Sequence, residues 1–109
     1  MPLPAPTFRD FRLASNESVH RTVNEKRAER ASAGAVSMSC ECECHRAVCG
    51  ASFQVTIEAY EAVRADGRRF LVAPGHQTSD ESIISTSDTY SVIEKMGDQG
   101  FIADSLDPR

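Results

Sequence analysis

Four cysteines fall in one stretch of the chain, Cys40-Glu41-Cys42-Glu43-Cys44-His45-Arg46-Ala47-Val48-Cys49-Gly50, and their density is the strongest chemical signal in the sequence. Thiols grouped in this way bind a metal or carry redox chemistry where the compartment is reducing. Residues two apart on an extended segment point to the same side, so Cys42 and Cys44 can present both sulfurs to one ion. Four residues separate Cys44 from Cys49, enough for the chain to turn back, and Gly50 relieves the backbone there. The chemistry this points to is a zinc site (Zn2+), because structural zinc takes four ligands in a tetrahedron, commonly four thiolates or three thiolates and an imidazole.

Cys42, Cys44 and Cys49 supply three donors, and three residues compete to be the fourth. His76 ranks first, since it follows the turn pair Pro74-Gly75 and would tie a distant part of the chain to the cysteines. Cys40 ranks second, because three thiolates at alternate positions of one strand reach a single tetrahedral centre only if the strand bends. His45 ranks third, being next to Cys44. An iron–sulfur cluster and a set of reduced, unligated thiols are the competing readings of the cluster. The tight spacing of Cys42 and Cys44 and the nearby histidine favour zinc.

Nothing else in the sequence has the pattern of catalytic chemistry. It contains no G-x-S-x-G elbow, no H-E-x-x-H, no phosphate-cradling loop and no paired-carboxylate arrangement. The serines and aspartates between Ser79 and Ser91 read as a solvated loop. A net charge of −4 argues against a general nucleic-acid binder. Residues 9–30 carry six basic groups against four acidic ones, a local +2 that leaves −6 for the rest of the chain.

The elements that must position these residues are short. Arg12 to Ala33 has no Pro or Gly and predicts a helix, capped by Ser15 or Asn16 and ended by Gly34. Its apolar positions, chiefly Leu13, Val19, Val23, Ala28 and Ala31, make a narrow stripe, so it reads as loosely attached or dependent on a partner, with a frayed segment as the alternative. Ala35 to Cys42 predicts a strand, Phe53 to Ile57 another, and Ile57 to Ala65 a short helix capped by Thr56. Arg69 to Ala73 predicts a strand, Ile83 to Ser85 and Tyr90 to Glu94 a hairpin, and Phe101 to Ala103 a last short strand.

The fold class expected is α+β: a small zinc-stabilised domain with a short-stranded antiparallel sheet and one short helix, preceded by an N-terminal helix. Residues 1–35 read as an irregular tail (Met1 to Pro6) and a partly independent helix, 36–103 as the zinc-binding domain and 104–109 as a C-terminal tail. The chain has 109 residues, no Trp, two Tyr and five Phe, so its core is thin. A core of ~70 residues supplies only ~3–5 kcal/mol, whereas structural zinc in small fingers contributes ~10–16 kcal/mol. The start lacks the basic flank and apolar stretch of a secretion signal, and the longest clean apolar run, Phe70 to Ala73, is too short to span a bilayer; a cytoplasmic protein is expected.

Cys42-Glu43-Cys44 with Cys49, Glu58 to Arg64, Arg69 to His76, Ser91 to Lys95 and the ending Asp107-Pro108-Arg109 together resemble a family of small uncharacterised actinobacterial proteins with a C-E-C-x4-C and P-G-H pattern. The resemblance covers about residues 40–109. It implies the quartet Cys42, Cys44, Cys49 and His76, leaves Cys40 as an extra, and supplies no activity. The stretch Gln77 to Thr89 departs from the acidic, helix-like segment that family has there. The function expected is a non-enzymatic, structural-zinc binding or regulatory module that docks on a protein partner. A thiol redox switch that releases zinc through the spare Cys40, and weak nucleic-acid binding through the N-terminal helix, are the alternatives.

Overall fold

Thr7 opens the first helix of the computed structural model, which describes residues 7–31 and 33–109; the tail expected over Met1 to Pro6 lies outside the described residues. The Asp10 N–H donates to Thr7 Oγ1 at 3.1 Å and the Thr7 N–H donates to Asp10 Oδ2 at 2.9 Å, a reciprocal cap that satisfies donors the helix leaves open. Helix α1 therefore runs Phe8–Arg30, and Arg27 and Arg30 in its last turn suit the negative end of the helix. It begins before the expected Ser15 or Asn16 cap and ends before Gly34.

Strands β1 (Ser37–Glu41) and β2 (Ser52–Thr56) pair antiparallel as a separate two-stranded sheet. Their alternation puts Met38 opposite Val55 and Cys40 opposite Phe53 on the buried face. Helix α2 (Ile57–Arg64) follows at once, its first turn capped by Thr56 Oγ1, which accepts from the Ala59 N–H at 3.0 Å. Strands β3 (Arg69–Val72), β4 (Glu81–Thr86) and β5 (Ser91–Lys95) form a three-stranded antiparallel sheet in the order β3-β5-β4, with an irregularity between Ile83 and Ser85. The α+β class and the β4–β5 hairpin are as expected. The single sheet is corrected to two, bridged in the core by the stacked rings of Phe53 and Tyr90, whose centroids lie 5.3 Å apart.

The strand expected over Phe101 to Ala103 is instead part of a second short helix, α3 (Gly97–Ser105). Gln99, Ile102 and Ala103 are buried and Phe101 is exposed, which is the three-and-four spacing of a helical face rather than alternation. Gly100 sits where that helix presses on β5: a Cβ there would come within 2.6 Å of the Lys95 carbonyl oxygen. The expected C-terminal tail is also fastened, since Asp107 pairs with Arg64 and Arg109 with Glu25 and Glu61.

Helix α1 is held by its polar face, and the expectation of a loosely attached helix gives way to this. Val19 is 63% exposed, while Glu17, Arg21 and Asn24 are completely buried. One row, Glu17, Arg21 and Glu25, faces the three-stranded sheet and the C-terminal residues. Lys95 Nζ lies 2.7 Å from Glu17 Oε1 and donates to Glu81 Oε2 at 2.6 Å. The Arg21 guanidinium donates to the carbonyls of Gly67 at 2.6 Å and Ala103 at 2.9 Å and stacks 4.5 Å from the Phe70 ring centroid. Glu25 accepts from Arg64, from Arg109 and, at 3.1 Å, from the Tyr60 hydroxyl.

Candidate metal centre

The cysteines lie where the chain leaves one sheet for the other. The Cys42 N–H donates to Ala51 O at 3.0 Å, continuing the β1–β2 ladder, and the next residue, Glu43, donates its N–H to Leu71 O of β3 at 2.8 Å. The segment from Cys42 to Ala51 is a knuckle without regular structure. Its return from Cys44 to Cys49 ends at Gly50 with φ +79°, a left-handed conformation that glycine adopts without strain. On the opposite side, β3 runs into Ala73-Pro74-Gly75-His76. There the His76 N–H donates to Ala73 O at 3.0 Å and Gly75 takes φ +84°, a turn with proline second and glycine third. That turn aims the imidazole at the knuckle.

The four side chains expected to share an ion are brought together. One donor atom from each of Cys42, Cys44, Cys49 and His76 lies within 4.8 Å of every other, a group able to hold a metal ion. His76 Nδ1 stands 3.5 Å from Cys42 Sγ and 3.4 Å from Cys49 Sγ. A tetrahedral zinc with bonds of ~2.3 Å to sulfur and ~2.0 Å to nitrogen separates those donors by ~3.5 Å, so the spacing fits such an ion. Cys42 and Cys44 are buried; Cys49 and His76 are half-buried. The Ala73 N–H donates to Cys42 Sγ at 3.1 Å, a bond that favours sulfur carrying negative charge.

Burial pushes the Cys42 and Cys44 thiols up from their ordinary range. Burial also raises Cys49, but hydrogen bonds from the Ala51 N–H and the neighbouring thiols outweigh it and leave that thiol low. A cation bound among them would draw off the remaining protons, because a coordinating thiol is deprotonated.

The other two candidates for the fourth position lie elsewhere. Cys40 is fully buried opposite Phe53, its Sγ donates to Glu41 O at 3.6 Å, and burial holds its thiol high. His45 is half-buried, and its main-chain carbonyl accepts from Asn16 Nδ2 at 2.9 Å.

Sequence reasoning missed the residues that grip this knuckle. Glu43, between two of the cysteines, is completely buried: Oε1 accepts from the Leu71 N–H at 2.9 Å and Oε2 from Asn24 Nδ2 at 2.7 Å. Burial raises its carboxyl to about 7 despite those two bonds. Asn16, His20 and Asn24 form a second row on α1 and all bond to the knuckle or to Glu41 just before it. Their spacing of four on a helix was the available signal.

No family model, curated protein or solved structure matches this chain. The family resemblance therefore stands on its motifs alone. Among the described residues no helix is long and apolar enough to cross a membrane.

Proposed function

We propose that the chain is a zinc-stabilised binding module, in which Cys42, Cys44, Cys49 and His76 hold a structural Zn2+ and the surface docks on a protein partner. The observation that carries the metal part is the convergence of those four donors to within 4.8 Å. Three soft sulfur donors and an imidazole suit zinc, and four protein ligands fill its shell, leaving no position for a catalytic water. That supports a structural role and not an enzymatic one. The docking part of the proposal is assigned to the shallow cleft lined by Val19 and Leu106 with Ser15, Ser18 and Thr22.

The redox alternative needs Cys40 as attacking thiolate, and its burial and raised pKa disfavour that form. Metal analysis of the purified protein tests the reading, with wild type beside His76→Ala and Cys40→Ala. Equimolar zinc is expected in wild type and Cys40→Ala, with depletion in His76→Ala. Wild-type protein that carries no metal and melts cooperatively in a strong chelator would remove the proposal.

A further inference from the structure

We infer that the row Asn16, His20 and Asn24 on α1 is the outer support of the metal centre, so that metal binding and docking of the helix strengthen each other. This rests on the proposal that the four-donor site takes zinc. The knuckle has no ladder of its own, so its main-chain polar groups need partners from elsewhere, and α1 supplies them. Asn24 uses its whole amide as a strand edge would: Nδ2 donates to Glu41 O at 2.8 Å and Oδ1 accepts from the Glu41 N–H at 2.8 Å. The same Nδ2 reaches Glu43 Oε2 at 2.7 Å, and Glu43 in turn accepts from the Leu71 N–H.

One turn earlier on α1, His20 Nε2 donates to Arg46 O at 2.7 Å, and Nδ1 faces Glu41 Oε1 at 2.7 Å. A further turn earlier, Asn16 Nδ2 donates to His45 O at 2.9 Å. The contacted residues, Glu41, Glu43, His45 and Arg46, bracket Cys42 and Cys44 on both sides. The direction in which those two sulfurs point is therefore set by α1 as much as by β1. His20 and Asn24 are buried, so bonds lost there are not replaced by bulk water.

Coupling of this kind is reciprocal: what the helix adds to metal affinity, the metal adds to helix docking. Groups that orient metal ligands from behind typically cost on the order of 10- to 100-fold in metal affinity when removed. The row Glu17, Arg21 and Glu25 makes as many bonds but hydrogen-bonds to none of the knuckle residues, so it supplies an internal control provided the Arg21 charge, which acts on buried Glu43, is kept.

Zinc affinity of the full chain, measured by competition with a chromophoric chelator, tests the inference. Asn24→Ala is expected to weaken binding on the order of 10- to 100-fold and the half-buried Asn16→Ala by several-fold. Arg21→Lys, which keeps the positive charge near Glu43 but lacks the guanidinium fork that holds both carbonyls, is expected to lower the melting temperature and leave zinc affinity of the folded protein within about twofold. Should Asn24→Ala not fold, Asn16→Ala carries the same test. Affinity equal to wild type in the folded variants of the knuckle row overturns the inference, as does an equal loss in Arg21→Lys. Wild type that binds no zinc at all fails the proposed function instead, so the two failures are distinguishable.

Discussion

The knuckle region and the three-stranded sheet solve one shortage by different means. Both lie against α1, and neither has the apolar surface to hold that helix by burial alone. The knuckle brings three thiols together with the His76 imidazole, and its main-chain carbonyls, with that of Glu41 before it, accept from two amides and a histidine of the helix. On the side of the sheet and the C-terminus the contacts are between ionisable groups instead: Glu17 with Lys95 and Glu81, and Glu25 with Arg64 and Arg109. Coordination bonds and buried ion pairs differ in what breaks them. Acid protonates thiolates and releases a metal, whereas the sheet region weakens as pH rises, for the reason given below. A domain of this size can thus use two polar devices where a larger one would use a core.

The largest effect is expected from Cys44→Ser, which removes a buried donor from the candidate centre. Because structural zinc contributes ~10–16 kcal/mol in small fingers, the cooperative thermal transition should be lost. Retention of a wild-type melt would mean that the two regions do not differ as described. Next is Arg64→Ala, which leaves Glu25 and Asp107 facing each other without their shared cation. A cost of about 3–5 kcal/mol is expected, read from urea titration, with zinc content unchanged.

Glu17→Gln sharpens the contrast through pH. Burial raises the Glu17 carboxyl from 4.5 to about 9, with Glu81 adding to it and Lys95 opposing it. A proton held in the folded state above its unfolded value gives stability that is full below pH 4.5 and is lost as pH climbs toward about 9. The glutamine does not ionise, so melts taken across the window should decline in wild type and stay flatter in the variant. An identical decline in both would show that Glu17 does not titrate there. The smallest effect is expected from Arg9→Ala, whose partner Asp80 is half exposed. Its loss should cost less than about 1 kcal/mol, a contrast to Arg64 that isolates burial as the cause.

Much of the local structure was readable in the residues. Thr56 as a cap, the alternation of β2, the Pro74-Gly75 turn and the β4–β5 hairpin follow from side-chain chemistry within a few positions of each element. The start of α1 was equally local, since Thr7 and Asp10 cap each other, yet Ser15 and Asn16 competed for the role with the same side-chain chemistry. Helix α3 was not legible as a helix, because a run as short as Phe101 to Ala103 is compatible with either period.

What the sequence by itself determined is three thiols, Cys42, Cys44 and Cys49, on one short segment, and His76, after a Pro-Gly turn, as the first of three candidates for the fourth donor. Those are local properties of residue type and backbone reach. Only the tertiary structure decided that Cys40 stays in the core opposite Phe53, that Glu43 is buried between the sheets, and that the polar face of α1 is its inward face. The physical reason is that a buried polar group is tolerated only when its partner is in place. Asn24 meets Glu41 and Glu43 across 17 and 19 residues, and Arg21 meets Ala103 across 82, separations over which no sequence pattern pairs a donor with its acceptor.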